Sequence, residues 1–256
     1  MTMDKLLVAC SLLALSGGCQ AATQTWDFVG SGGSGSISRN IIPNTINLSD
    51  DDNSMSVSMT AWSAYNPGDY GTNETIFQSE LWLSQWGTLV FNSSSDQHYV
   101  DNLGRYDFIL LSFSEEVELA GISVAYANND SDISIAAFNN NPFNGGSAME
   151  RWSEVSSYAV ASSSFSNVGA SPANHYYSLN SGANLNKSTS GVASKYWMIG
   201  AYNEYFGNGL TAGNDHLKFS GLTTNSTTPR NEVSEPVSLS LFAMALLLLA
   251  GRRKFS

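Results

Sequence analysis

The chain is poor in cysteine and in basic residues, and each shortage excludes a class of function. Only Cys10 and Cys19 occur among its 256 residues, so the chain beyond Cys19 has no thiol for a disulfide, nucleophilic catalysis or metal binding. Lys and Arg number 11 against 22 Asp and Glu, which gives a net charge of −11. Phosphate backbones would be repelled by such a surface, so the sequence predicts no nucleic-acid partner.

Long apolar runs are also missing, apart from one near each end. The first lies within residues 1–22, where an apolar stretch at 6–15 is followed by small residues up to Ala22. This pattern predicts a helical secretory signal peptide, cleaved between Ala21 and Ala22. Lipidation at Cys19 is the alternative, but the preceding leucine lies one position too far from the cysteine for a lipobox.

The second apolar run lies at residues 237–250 and contains no charge. As a helix it would span roughly 21 Å, against a hydrocarbon core of about 30 Å. It stands between two short motifs: Val233, Ser234, Glu235 and Pro236 before it, and Arg252, Arg253 and Lys254 after it. The basic cluster predicts that the C-terminus stays in the cytoplasm while everything upstream is exported. An ordinary membrane anchor is the alternative interpretation.

This three-part tail resembles the C-terminal sorting domain of PEP-CTERM proteins, which exosortases process in the inner membrane of Gram-negative bacteria. Glu235 and Pro236 match the end of the Pro-Glu-Pro motif, whereas Ser234 stands where its first proline is expected. The resemblance implies export through the Sec translocon, transient anchoring in the inner membrane by the C-terminal segment, and processing by an exosortase. The exported chain is then expected at the cell surface or in the extracellular matrix.

Between the two signals, short runs of alternating apolar and polar residues predict β-strands almost throughout. Met55, Val57, Met59 and Ala61 fall on one face of such a run. Residues 106–113 instead have a continuous apolar centre, as expected for a strand that is covered on both faces. The expected strands are 23–29, 54–64, 76–86, 106–113, 117–127, 132–138, 156–164, 195–202 and 216–222.

Many short strands separated by turn signals predict an all-β fold, a two-sheet antiparallel β-sandwich of the jelly-roll-like kind. The expected domain covers residues 23–222 and follows the signal-peptide helix at 1–22. The segment 223–232 is polar and almost free of apolar side chains, which indicates a linker. The apolar sorting helix at 233–256 follows it.

The domain itself resembles one family of exosortase-dependent surface proteins, in short segments that keep the same order. These segments are 25–28, 60–63, 100–102, 106–109, 129–134, 199–203 and 214–218. The resemblance implies a non-catalytic surface or extracellular-matrix protein, linked to exopolysaccharide or biofilm.

No constellation of residues favours an enzyme. His98, His175 and His216 lie far apart without metal-ligand spacing, and they are expected at the surface or in loops. The glutamates of segment 115–118 could be the paired carboxylates of a glycoside hydrolase, but a solvated turn between two strands explains them more simply. A secreted hydrolase is therefore the least supported function.

Oxygen-rich segments make calcium the one ligand with a physical argument. Asp130 and Asp132 lie two residues apart, so they share one face of an extended chain, with amide oxygens beside them. They predict at most one structural calcium and no other cofactor. Segments 50–53 and 214–215 are further oxygen-rich loops. A hydrogen-bonded Asx turn at residues 130–132 is the alternative.

Aromatic side chains favour the second candidate function, a lectin-like carbohydrate-binding module, because exposed rings stack on sugar rings. Core packing is the alternative, and the sequence identifies no particular glycan site. Trp82 and Trp86 are an even number of residues apart, so both could face the core. The aromatic residues concerned are Trp62, Trp82, Trp86, Trp152, Trp197, Tyr65, Tyr70 and Tyr205.

Overall fold

The computed structural model describes residues 22–29, 38–39, 45–50, 55–65, 75–84, 86–91, 99–143, 151–168, 175–179 and 189–227. Over these residues the chain forms thirteen β-strands and one α-helix, so the predicted all-β class is confirmed. The predicted signal peptide up to Ala21 and the sorting segment at 233–256 lie outside the described residues. The strands belong to a compact unit, Ala21–Thr228.

The strands are numbered along the chain, and the helix α1 (Trp152–Tyr158) lies between β9 and β10. Their bounds are β1 (Thr23–Asp27), β2 (Ser38–Arg39), β3 (Thr45–Ser49), β4 (Ser56–Tyr65), β5 (Phe77–Ser84), β6 (Gly87–Phe91), β7 (Val100–Asp101), β8 (Arg105–Asn129), β9 (Ile133–Phe138), β10 (Ala159–Phe165), β11 (His175–Ser178), β12 (Ser194–Ala201) and β13 (Asp215–Ser226). Among the described residues, no helix is both long and apolar enough to cross a membrane.

Hydrogen-bonded pairing joins these strands into one sheet, whose order is β1-β13-β6-β5-β4-β8-β12-β9-β10. Strand β8 also pairs with β13, so β13, β6, β5, β4 and β8 close a ring. One residue pair, Phe219 with Thr88, joins β13 to β6. The expected arrangement of two separate sheets is therefore not confirmed, because a single sheet closes on itself.

Strand β8 is 25 residues long and connects two halves of the sheet, the first around its residues 105–113 and the second around its residues 117–129. Its residues 105–113 pair with β4 and β12, whereas residues 117–129 pair with β13 and β11. The sequence predicted two strands here, with a solvated turn at 115–118. That turn is wrong, because the glutamates lie inside β8, where an irregularity in the pairing with β12 accommodates them.

Successive side chains of β8 point to opposite faces of the sheet, and both faces are buried over residues 105–113. Ile109 and Leu111 belong to a large core that contains residues from both halves of the sheet. Phe108 and Leu110 point the other way, into a second, smaller core. The prediction that residues 106–113 form a strand covered on both faces is confirmed.

Strand β4 divides its side chains between the same two cores. Val57, Met59 and Ala61 belong to the large core together with the preceding Met55, so their predicted common face is confirmed. Trp62 points into the smaller core, where its ring stacks on another aromatic ring. The first half of the sheet is therefore a layer with apolar packing on both sides.

Helix α1 covers the smaller core and was not predicted. Trp152 is fully buried and packs against Phe108 and Phe206. The first turn of the helix is fastened by the Arg151 backbone N–H, which donates to the Glu154 carboxylate at 3.1 Å. The predicted strand at 156–164 is wrong over residues 156–158, because α1 has only 7 residues, too few to show a helical period.

Strand β13 continues to Ser226 and so enters the segment predicted as a linker. Thr224 is buried there, and its hydroxyl accepts a hydrogen bond from Trp26 Nε1 at 3.0 Å and donates to Gln24 Oε1 at 3.2 Å. The Ser226 backbone N–H donates to the Ala22 carbonyl at 2.9 Å. The linker prediction is wrong for residues 223–226, because pairing with β1 outweighs their polar composition.

Candidate metal centre

Three aspartates converge where β8, β9 and β13 meet. Asp130 follows β8, Asp132 precedes β9, and Asp215 begins β13. One carboxylate oxygen of each lies within 4.8 Å of the others, and we call this group the Asp triad. Calcium binds oxygens at about 2.3–2.6 Å, so two oxygens on one ion lie at most about 5 Å apart. The spacing of the Asp triad therefore suits one bound cation.

Strand pairing brings the Asp triad together. Asp215 pairs with Asn129 across β8 and β13, and Asp130 forms a β-bridge to Asp215. The Asp130 backbone N–H donates to the Asn214 carbonyl at 3.2 Å. Asp132 and Asp215 are neighbours although 83 residues separate them in sequence. The register of β8 against β13 thus determines the site.

Asp215 is fully buried, and hydrogen bonds hold both of its oxygens. Its Oδ1 accepts from the Asp132 backbone N–H at 2.7 Å, and its Oδ2 accepts from Asn102 Nδ2 at 2.5 Å. Asn102 in turn accepts from the Asp215 backbone N–H at 2.9 Å and donates to the Tyr202 carbonyl at 2.9 Å. These bonds fix the carboxylate and leave lone pairs on both oxygens for a cation.

The other two carboxylates are held by nearby backbone and amide groups. Asp132 Oδ1 accepts from the Asn167 backbone N–H at 2.9 Å, and Asn167 has a φ of 54°, which asparagine tolerates well. Asp130 accepts from the Ser131 backbone N–H at 2.8 Å and from Asn214 Nδ2 at 3.2 Å. Asn214 Oδ1 is buried and has no hydrogen-bond partner in the described part of the chain. It is an amide oxygen of the kind that calcium binds.

No basic side chain neutralises the Asp triad, because no Lys or Arg of the described residues forms an ion pair with it. The pKa of Asp215 is raised to about 7, mainly by burial; the charges of Asp132 and Asp130 contribute to this rise, and its hydrogen bonds oppose it. Burial also raises the pKa of Asp132, and Asp130 adds to that shift. Carboxylates in this state are stabilised by a proton or by a cation.

The structure joins two segments that the sequence had treated separately, residues 128–132 and residues 214–215. The Asx turn expected as the alternative is not formed, because the Asp132 backbone N–H donates to Asp215 instead of Asp130. Asp50 is outside the triad, and its carboxylate accepts from the Met55 backbone N–H at 3.0 Å before β4. Asn102 was missed, since nothing in its sequence surroundings connects it to Asp215.

Other predicted site residues lie apart from the Asp triad or outside the described residues. Ala21, His98, the motif at 233–236 and the basic cluster at 252–254 are outside them. His216 is buried in β13, so the expectation of a surface or loop position is wrong. Its ring packs edge-on against Tyr99, with ring centroids 5.7 Å apart. Its strand position between core residues and its aromatic neighbour explain the burial.

Most of the aromatic residues considered for glycan binding are core residues. Trp62, Trp152 and Trp197 are buried, as is Trp82. The expectation that Trp86 could also face the core is wrong, because it lies in the turn between β5 and β6 and is 55% exposed. Tyr205 packs at the edge of the smaller core, whereas Tyr70 and the Tyr65 side chain are outside the described part.

The Asp triad is the one group of three or more His, Cys, Asp or Glu side chains in the described segments with the spacing of a metal site. Comparison with models of protein families, with curated proteins and with solved structures gave no match for this chain. The function is therefore inferred from the geometry of this site and from the sequence.

Proposed function

We propose that the chain is a non-catalytic surface or extracellular-matrix protein whose β-domain is stabilised by one bound calcium ion at the Asp triad. The observation that supports the cation is the convergence of three carboxylates within 4.8 Å without a basic partner among the described residues. A cation there joins the ends of β8, β9 and β13. We assign this cation a structural role, since Asp215 is fully buried.

The ligand set favours calcium over transition metals. The ligand atoms that the Asp triad offers are all oxygens, and hard cations prefer carboxylate and amide oxygens, whereas zinc and copper prefer imidazole or thiolate. Extracellular calcium is abundant enough to fill weak sites. The three carboxylates supply oxygen ligands, and water completes the shell of an ion that takes six to eight ligands.

The proposed export and exosortase processing are supported by two sequence segments, residues 1–22 and residues 233–256. The apolar segment within residues 1–22 directs the chain to the Sec translocon. Residues 233–256 anchor it briefly in the inner membrane, where an exosortase recognises Glu235 and Pro236. Processing then releases a domain that acts at the cell surface or in an exopolysaccharide matrix, as the resemblance to PEP-CTERM proteins implies.

Intact mass spectrometry of the protein from cells with and without their exosortase tests this address. We expect a mature chain that begins at Ala22 and has lost the segment after Pro236, with the unprocessed chain in the membrane fraction of exosortase-free cells. A mature protein that still ends at Ser256 in normal cells would contradict the processing proposal.

Titration calorimetry tests the cation. We expect the purified, EDTA-treated protein to bind one calcium per chain, and Asp132→Asn to weaken binding at least tenfold. That variant keeps the oxygen that accepts from the Asn167 backbone N–H, removes the charge and replaces the other carboxylate oxygen with an amide nitrogen. Asp27→Asn is the matched control, since Asp27 is exposed on β1 and no member of the triad. Equal binding by both variants would refute the site.

We further propose that the two halves of the sheet face each other as the layers of a sandwich. Trp26 of β1 contacts Phe113 of β8 edge-on, with ring centroids 5.4 Å apart, and the large core joins both halves. The ring closes through one residue pair, so we expect faster hydrogen exchange near Thr88 than at the centre of β8. Equal protection would favour a continuous closed sheet.

A further inference from the structure

Two tyrosines enclose a lysine on the outer face of the sheet. Lys218 of β13 pairs directly with Tyr126 of β8, and Tyr99 precedes β7, which also pairs with β13. The tyrosine rings are stacked, with centroids 5.4 Å apart and an angle of 20° between their planes. Lys218 Nζ lies 5.0 Å from the Tyr99 centroid and 5.8 Å from the Tyr126 centroid. We call these three residues the Tyr-Lys cluster.

The Tyr-Lys cluster faces away from the large core. Leu217 and Phe219, the neighbours of Lys218 on β13, are fully buried in that core. Because side chains alternate along a strand, Lys218 points outward. Tyr126 is 39% exposed, so one tyrosine of the cluster remains accessible to a ligand.

Lys218 lacks a carboxylate partner in the described part of the chain, although acidic residues outnumber basic ones two to one. Burial lowers its pKa, which means that its surroundings disfavour the charge. Contact with two aromatic rings compensates in part. A half-buried cation that has no counter-ion among the described residues is complementary to an anionic ligand.

A third exposed ring extends this face of the sheet. Tyr176 of β11 is 48% exposed and pairs with Ser123 of β8. Its ring lies over Gly121, where an added Cβ would come within 2.2 Å of the ring, so glycine makes room for it. Gly121 precedes Tyr126 by five residues, so at about 3.3 Å per residue the two rings lie roughly 16 Å apart along the sheet. They can contact separate sugars of one chain.

Small hydroxyl side chains lie near the exposed ring of Tyr176. Thr223 pairs with Gly121, Thr25 pairs with Thr223, and Ser123 lies beside Tyr176. Thr25 is exposed, while Thr223 and Ser123 are half-buried. Hydroxyl groups bond well to sugar hydroxyls, whereas a membrane or a protein partner would favour a larger continuous apolar patch.

We propose that this outer face binds a polysaccharide whose uronic acids are separated by neutral sugars, with one uronic acid carboxylate at Lys218 and sugar rings stacked on Tyr126 and Tyr176. A fully charged chain would be repelled by the net charge of −11. The Lys218 ammonium donates to the carboxylate, and the tyrosines supply flat apolar surfaces. This inference rests on the proposed surface role for its setting, but not on the Asp triad. A polysaccharide of this kind is a partner that a surface or extracellular-matrix protein would bind.

Binding of short oligosaccharides to the purified protein tests the inference. The probes are oligomers of hyaluronate, alginate and polygalacturonate, each compared with its carboxyl-reduced form and with neutral dextran. We expect at least one uronate probe to bind, and its reduced form to bind at least tenfold more weakly. No binding to any uronate probe, or equal binding of the reduced form, would overturn the proposal.

Variants then locate the site. Tyr126→Ala and Lys218→Met should each weaken binding at least tenfold, whereas Tyr158→Ala should not, because Tyr158 is more exposed than Tyr126 but lies on α1. Tyr176→Ala provides a second test if Lys218→Met fails to fold. Unchanged binding in both tyrosine variants would overturn the assignment to this face. Since calcium binding by Tyr126→Ala should stay normal, failure here is distinguishable from failure of the cation site.

Discussion

Asp215 is the residue whose charge the fold opposes most strongly. Its oxygens are fixed by the Asp132 backbone N–H and the Asn102 amide, and the Asp132 and Asp130 carboxylates stand beside it. These contacts orient the carboxylate for a ligand, while burial raises its pKa to about 7 from its ordinary 3.8. In the absence of a cation, no basic side chain of the described residues neutralises Asp215, and a proton does so at low pH.

The raised pKa predicts how the stability of the cation-free protein depends on pH. The folded chain keeps a proton on Asp215 between about pH 4 and pH 7 that the unfolded chain releases. The stabilisation of the folded chain by this proton is complete below pH 4 and is lost as the pH rises through 7. We therefore expect the free energy of unfolding, measured by urea titration in EDTA, to fall across this window.

Asp132→Asn provides the matched test of that pH dependence. Removing the Asp132 charge relieves the repulsion on Asp215, so the variant should be about 1–2 kcal/mol more stable than the natural chain at pH 8 in EDTA. The decrease in the free energy of unfolding of this variant between pH 4 and pH 7 should be smaller than that of the natural chain. Identical pH profiles for the two proteins would show that the carboxylates do not interact.

At the scale of elements, α1 acts as the cover of the smaller core. Trp152 packs there against Phe108, Phe143 and Phe206, although its Nε1 has no hydrogen-bond partner in the described segments. The packing must outweigh the unpaired donor. The helix therefore contributes two buried side chains, Trp152 and Val155, to this core.

We expect Trp152→Ala to destabilise the protein by about 3–5 kcal/mol, because it leaves a large cavity under α1. Tyr158→Ala, on the same helix and 55% exposed, should change the free energy of unfolding by less than about 0.5 kcal/mol. Urea unfolding at constant pH measures both. A small effect of Trp152→Ala would mean that α1 is not part of the cooperative unit.

The strands that the sequence predicts well are those whose burial has a simple period. Met55, Val57, Met59 and Ala61 alternate, and residues 106–113 are apolar on both faces, so β4 and the first part of β8 were recognised. The continuity of β8 through residues 115–118 was missed, because adjacent glutamates are typical of a solvated turn. Helix α1 was missed because 7 residues are too few for a period to emerge.

The candidate site was predicted only in part, for a related reason. Asp130 and Asp132 are close in sequence, so their shared face could be inferred. Asp215 reaches them through the pairing of β8 with β13, which is a long-range contact that no local pattern specifies. Asn102 reaches Asp215 in the same way, 113 residues before it. Acidic loops could be found from the sequence, but their convergence could not.

At the scale of the whole molecule, we propose two functions for opposite faces of β13: cation binding at the Asp triad and polysaccharide binding at the Tyr-Lys cluster. Asp215 binds the proposed cation at the start of the strand, and Lys218 lies on the outer face three residues later. A cation that fastens the ends of β8, β9 and β13 also holds the strands that carry Tyr126 and Lys218. A cysteine-poor chain gains from it a cross-link that disulfides would otherwise supply.

Thermal unfolding of the EDTA-treated protein at pH 8, with and without millimolar calcium, tests the cation claim most directly. At a hundredfold excess over its dissociation constant, calcium should stabilise the fold by about 2.7 kcal/mol and raise the Tm by roughly 5–10 °C. The rise should be absent in Asp132→Asn and retained in Asp27→Asn. Superimposable melting curves of the natural chain with and without calcium would contradict the account.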